Sequence, residues 1–207
     1  MERQHLVLSI DIGIKNLGWT MISSSHSFVE NNLQNYEDLS MGFGIYNITN
    51  NLTNEASLVA DRCMVVNKFF KDITAKFIID YCIIERQVNT NTIAMELMYA
   101  ITSTALCYLE KPSNLIIYDP KLKFKDLNIT YNTKNKEHKK QSITYCKALL
   151  IELTNEELVE KFDTNKKQDD MADSFIQCLV WLAKNEKINL STKNIRDMIS
   201  NHLVATC

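Results

Sequence analysis

Glycine and proline are scarce in this 207-residue chain, which holds four glycines, all before residue 45, and two prolines. So few turn-forming residues exclude collagen-like and low-complexity architectures. The missing later glycines also remove the turns through which backbone amides approach a nucleotide's phosphates. No run of 18 apolar residues occurs, so no membrane-spanning helix is expected. The opening Met1-Glu2-Arg3-Gln4-His5 leads into an apolar stretch too short for a secretory signal and without a small-residue cleavage site. A non-secreted, intracellular protein with no membrane attachment is the expectation. Six cysteines form no Cys-x-x-Cys pair and mostly sit in apolar segments, which points to reduced, buried thiols instead of disulfides or a zinc site.

What the chain does have is an ordinary globular balance, 45% hydrophobic and 23% charged residues, which excludes wholesale disorder. The length suits a single domain over residues 1–207 with a sizeable core. The formal net charge of -2 argues against a polycation that coats nucleic acid. Its distribution is uneven, because nine lysines between Lys111 and Lys147 face only Asp119, Asp126 and Glu137. One basic stretch therefore sits on an otherwise acidic protein.

Leu6 to Ile12 reads as an apolar strand followed by Gly13 at a tight turn, and Gly18 to Ile22 as its antiparallel return. The polar stretch from Ser23 to Leu39 is a loop or insertion, and Gly42 to Ile48 is a third strand. Apolar residues at three- and four-residue steps predict a helix from Thr53 to Ala75. Phe77 to Ile84 is then a buried strand, Thr92 to Leu109 a helix and Leu115 to Tyr118 a fifth strand. Beyond Pro120 a lysine-rich connection leads to helices at Lys136 to Leu153 and Gln168 to Asn185. This order predicts an α/β fold with a central five-stranded mixed sheet flanked by helices.

Four carboxylates occupy telling places. Asp11 lies in the first strand between apolar neighbours, where an uncompensated charge is disfavoured. Glu85 stands at the carboxyl end of another strand, where ligands gather in open parallel sheets. Asp170 and Asp173 are three apart on a predicted helix and share a face that also touches the core. Singly, Glu85 or Asp170 could be a cap or turn residue, and Asp173 could cap or pair with Lys166 or Lys167; Asp11 is harder to dismiss. Gathered together they would repel, so a cation between them is implied. Oxygen donors select Mg²⁺ or Mn²⁺ over Zn²⁺, and two such ions about 4 Å apart serve phosphodiester hydrolysis.

Ser9-Ile10-Asp11-Ile12-Gly13-Ile14-Lys15-Asn16, Ile83-Ile84-Glu85-Arg86-Gln87, Lys139-Lys140-Gln141-Ser142 and Asp169-Asp170-Met171-Ala172-Asp173-Ser174-Phe175 resemble, in order, the RuvC-type Holliday junction resolvases, in particular their poxvirus and mitochondrial branch. The resemblance spans nearly the whole chain. It implies an RNase H-like fold, a homodimer, and metal-dependent cutting of two opposed strands of a four-way DNA junction by paired symmetric nicks. Asp11, Glu85, Asp170 and Asp173 match the family's metal ligands for two ions, with Asp11 shared between them. Lys140 matches the basic residue of the family's site, with Lys139 beside it. The resemblance also implies a dimer surface on the helix bearing Ala94, Met95, Met98 and Ala105. The Asn- and Lys-rich composition fits an AT-rich genome, so a large DNA virus acting in the cytoplasm of its host cell is the expected source, with a mitochondrion as the alternative.

A lysine at such a site has a physical role of its own, because an ammonium can hold the scissile phosphate and stabilise charge that builds on it. Lys121, Lys123, Lys125, Lys134, Lys136 and Lys139 are the candidates for gripping the DNA backbone. Two other readings stay open. One is an RNase H-like nuclease acting on flaps or RNA-DNA hybrids. The other is an actin-like or sugar-kinase-type ATPase, which shares the Asp11-Ile12-Gly13 start but needs the glycine-rich turns that are missing; no nucleotide cofactor is expected.

Overall fold

In the computed structural model, residues 5–24, 40–48, 59–88, 90–130, 135–153 and 156–205 are described. The chain starts with an antiparallel meander of β1 (His5–Ile12), β2 (Asn16–Ser24) and β3 (Ser40–Asn47). Helix α1 (Val59–Thr74) leads to β4 (Tyr81–Glu85), and α2 (Thr92–Leu106) leads through a single 3-10 turn at Pro112–Asn114 to β5 (Leu115–Tyr118). The sheet order is β3-β2-β1-β4-β5, with β1, β4 and β5 parallel. Five helices follow: α3 (Leu122–Asp126), α4 (Asn135–Leu153), α5 (Glu156–Asp163), α6 (Gln168–Lys184) and α7 (Thr192–Ala205).

Strand alternation divides the interior in two, because successive side chains leave opposite faces of a sheet. Leu8, Ile10, Leu17, Cys82 and Ile84 pack against α1 and α2. Val7, Ile22, Phe43, Ile83 and Tyr118 pack on the other face, chiefly under α6. From Met171 to Ala183 only Asp173 on α6 is not fully buried, so this helix is enclosed between the sheet and the outer helices. The Phe43 ring on β3 meets Phe162 of α5 and Phe175 of α6 edge-on, each with centroids 6.3 Å apart.

The mixed five-stranded sheet with flanking helices agrees with the expected fold class. The details differ in places. β4 begins at Tyr81 instead of Phe77, and Phe77 and Ile78 are exposed. Asp80 ends the preceding turn by accepting the Leu6 N–H on its carboxylate at 2.9 Å. Helices α3, α5 and α7 were not expected. The first spans five residues and the second eight, too short for a helical period to stand out. A signal for α7 is legible afterwards: the Ser191 hydroxyl accepts the Asn194 N–H at 3.1 Å as an N-cap, and Ile195 and Ile199 repeat at four residues on its buried side. Most of the Ser23 to Leu39 stretch and the start of the Thr53 helix lie outside the described residues. The described cysteines are free thiols, and burial pushes Cys82 up to about 12. No helix among the described residues is long and apolar enough to cross a membrane.

Gly18 of β2 is the seat of α6. A Cβ placed there would lie 2.1 Å from the Asp170 carbonyl oxygen, so only glycine lets the helix backbone rest on the sheet. Gly18→Ala should cost at least about 1–3 kcal/mol through overpacking against a main chain that cannot yield. Urea unfolding of the variant beside wild type measures this.

Candidate active site

The first turn of α6 comes to rest beside the carboxyl ends of β1 and β4. In the β1–β2 register Asp11 lies opposite Gly18, the residue on which Asp170 sits. β1 and β4 run parallel and pair up to Ile10 and Ile84, which puts Asp11 and Glu85 next to one another on the face that α6 covers. Two polar contacts hold the helix in register on that face. The Thr20 and Ser174 hydroxyls hydrogen-bond at 2.9 Å, and the fully buried Gln177 donates its amide to Ser9 Oγ at 3.0 Å.

The resulting concentration of negative charge changes protonation. Burial, then Glu85 and Asp173, push the Asp11 carboxyl well above the usual range; Lys123 pulls it back and Asp170 adds to the rise. Glu85 is raised by burial and by Asp173 against the pull of Lys123. Asp170 is raised by burial and by Asp169.

Lys123 is the cation of this cluster. It lies on α3 and is only 1% exposed; its ammonium is 2.5 Å from Asp173 Oδ1 and 3.7 Å from Glu85 Oε2. Burial by itself would lower this ammonium, but Asp173, Glu85 and Asp11 outweigh it and hold the group above the ordinary lysine range. This corrects the place given to Lys123 among residues facing the DNA backbone. α3 turns Lys123 inward, next to the buried Phe124, while Lys121 and Lys125 remain outside. Neither lysine spacing nor hydropathy carries a signal for that inversion, because the helix is little more than one turn.

The remaining basic residues are distributed around the rim. Lys139 on α4 pairs with Asp169 on α6, and this contact holds Asp169 low against its burial. Lys140 is exposed and makes no ion pair with a described residue, so it stands outside the carboxylate cluster. Lys121 and Lys125 line a cavity of about 370 Å³ with Asn128, Ile129 and Thr130. Lys134 lies outside the described residues, and Lys136 is described only by its place in the first turn of α4. Ser142, on α4, was not singled out from the sequence; its buried hydroxyl donates to Asp173 at 2.9 Å.

Among the described residues no group of three Asp, Glu, His or Cys side chains is disposed to ligate one metal ion, and Lys123 bridges two of the four carboxylates. The chemistry of the donors nonetheless fits a hard divalent cation. All four are carboxylates, burial and neighbouring carboxylates raise Asp11, Glu85 and Asp170, and one ammonium cannot neutralise them.

Among solved structures the chain is similar to the fowlpox virus resolvase in its complex with substrate Holliday junction DNA, with a TM-score of 0.61 and 18% identity over 87% of this chain and 98% of that one. It is also similar to the yeast mitochondrial Holliday junction resolvase Ydc2, with a TM-score of 0.64 and 18% identity over 97% of this chain and 87% of that one. Thermus thermophilus RuvC aligns at a TM-score of 0.55 and 13% identity over 87% and 96% of the two chains. At these identities the likeness is one of fold, the RNase H-like fold of RuvC-type resolvases. No curated protein sequence matches. The profile of the poxvirus A22 protein family matches residues 5–185, nearly the whole of the described sheet and helices, and the chain belongs to that family.

Proposed function

We propose that this protein is a metal-dependent endodeoxyribonuclease that resolves four-way DNA junctions by paired, symmetric nicks, working in the cytoplasm of a virus-infected cell. The observation that carries this reading is the meeting of Asp11, Glu85, Asp170 and Asp173, from β1, β4 and α6, on a fold shared with junction resolvases. Asp11, Glu85, Asp170 and Asp173 would be the residues that hold two Mg²⁺ or Mn²⁺ ions. Bound there, the metal supplies an activated water and neutralises charge on the phosphodiester.

The residues around the cluster have separable tasks. Lys123 keeps a fixed positive charge against the carboxylates and beside the scissile phosphate, the role that sequence matching assigns to Lys140. Lys121 and Lys125 take a neighbouring backbone phosphate in the cavity they line. Lys139 braces Asp169 and so the first turn of α6. Two opposed cuts need two sites, and a homodimer supplies them. The outward face of α2, where Tyr99 and Leu106 are 61% and 40% exposed, is the surface for that pairing.

The deciding experiment incubates the protein with a synthetic four-way junction, a flap, a nicked duplex and an RNA-DNA hybrid, each with Mg²⁺ or EDTA. Paired nicks confined to the junction and to Mg²⁺ are expected; preferential cutting of the hybrid or flap would transfer the assignment to that substrate. Asp11→Asn, Glu85→Gln, Asp170→Asn and Asp173→Asn should each lower cleavage at least about 100-fold, with junction binding in EDTA retained.

Lys123→Met should lower the single-turnover rate about 100-fold, while Lys140→Ala should change it less than tenfold. The double variant Lys121→Ala/Lys125→Ala should weaken junction binding and flatten its salt dependence by about two in log-log slope, since each lysine releases about one counterion.

Protonation yields a further test. Asp11 is raised in the folded state, so the native protein holds a proton that the unfolded chain gives up near pH 4; stability falls as pH rises from there through the raised value. Asp11→Asn removes that loss. In EDTA the variant should match wild type near pH 4 and exceed it at pH 8, by about 2–4 °C in Tm for each kcal/mol relieved. Thermal unfolding across that range measures the difference.

A further inference from the structure

Several helical serines and threonines of this protein turn their hydroxyls back onto their own helix: Thr102 to the Met98 carbonyl, Ser103 to Ala100 and Ser200 to Arg196. Ser142 does not. It is fully buried on α4, and its hydroxyl crosses to α6, donating to Asp173 Oδ1 at 2.9 Å. The Lys123 ammonium reaches the same oxygen. Two donors on one oxygen fix the rotation of the carboxylate and draw negative charge onto Oδ1. Among the described residues Oδ2 accepts no hydrogen bond, so its lone pairs remain for another partner.

One turn earlier on both helices, Lys139 of α4 pairs with Asp169 of α6. The two contacts act as successive rungs between the helices. The lower rung is at the surface and involves an acid outside the carboxylate set. The upper rung is buried and ends on the set itself.

We propose that Ser142 is a positioning residue for metal binding, orienting Asp173 so that Oδ2 is presented to the cation; this rests on the metal-dependent reading above. A hydrogen bond to a ligating carboxylate typically changes metal affinity by about 10–100-fold when removed. Ser142→Ala deletes the donor with little change in volume, and Ser142→Cys keeps the shape with a weaker donor.

The probe is Mn²⁺ alone, titrated into the DNA-free full chain with the free ion read by electron paramagnetic resonance, and junction binding in EDTA measured beside it. The expected result is a loss of Mn²⁺ affinity of at least about tenfold for Ser142→Ala and a smaller loss for Ser142→Cys, with junction binding within twofold of wild type for both. Affinity of Ser142→Ala within twofold of wild type overturns the inference while leaving the proposed function standing. If the alanine variant does not fold, unchanged affinity of Ser142→Cys has the same consequence. Absence of Mn²⁺ binding by wild type is a failure of the proposed function, and the inference falls with it.

Discussion

Placing several carboxylates together under a packed helix is unfavourable, and the arrangement around Asp11 depends on how that cost is met. Burial and mutual repulsion drive Asp11, Glu85 and Asp170 toward their protonated forms. A single buried ammonium, Lys123, opposes the rise at Asp11 and Glu85, while Lys167 and Lys139 oppose it at Asp170. The desolvation of Lys123 would be costly if its partners were removed, because a lone charge in the interior has neither water nor counter-charge. Lysine and carboxylates are thus mutually dependent, and the imbalance left over is the physical basis for a divalent cation.

The cluster also requires α6 to be fixed in translation and in rotation. Gly18 sets the distance of approach, because any side chain there would meet the Asp170 backbone. Thr20 with Ser174 and Ser9 with Gln177 set the rotation, since buried polar groups forgo water and are stable only in the register that pairs them. α4 completes the hold through Lys139 and Ser142. Apolar packing of α6 is extensive but permissive about register, whereas these polar contacts are directional. A preorganised site on strands and a buried helix keeps its geometry better than one built on loops.

Legibility in the sequence was uneven for reasons that differ by element. The strands and the long helices announced themselves by periodicity, and Asp11, Glu85, Asp170 and Asp173 by being acids where acids are disfavoured. The ordered motifs from Ser9 to Phe175 carried the family. Lys123 was legible only as one lysine among nine in a basic stretch. Its neighbours two residues away on either side face solvent, so composition classed all three alike. Ser142 was legible only as the last residue of the Lys139-Lys140-Gln141-Ser142 motif, with no sign of its partner, since a helical serine ordinarily bonds back to its own turn. α3 and α5 were too short to show a period, and α7 buries only Ile195 and Ile199 among its described side chains, too sparse a pattern to stand out.

By itself, then, the amino-acid order determined which segments could form strands and helices, which acids could share a helix face, and which family the chain resembles, because those properties arise from residues near one another along the chain or in ordered motifs. Tertiary structure alone decided which lysine entered the carboxylate cluster, which oxygen of Asp173 received hydrogen bonds, and which face of α3 was buried. Each of those outcomes depends on the position of a second element reached only when the sheet and α6 have closed on one another, and no local pattern encodes a contact between residues 50 or 31 positions apart.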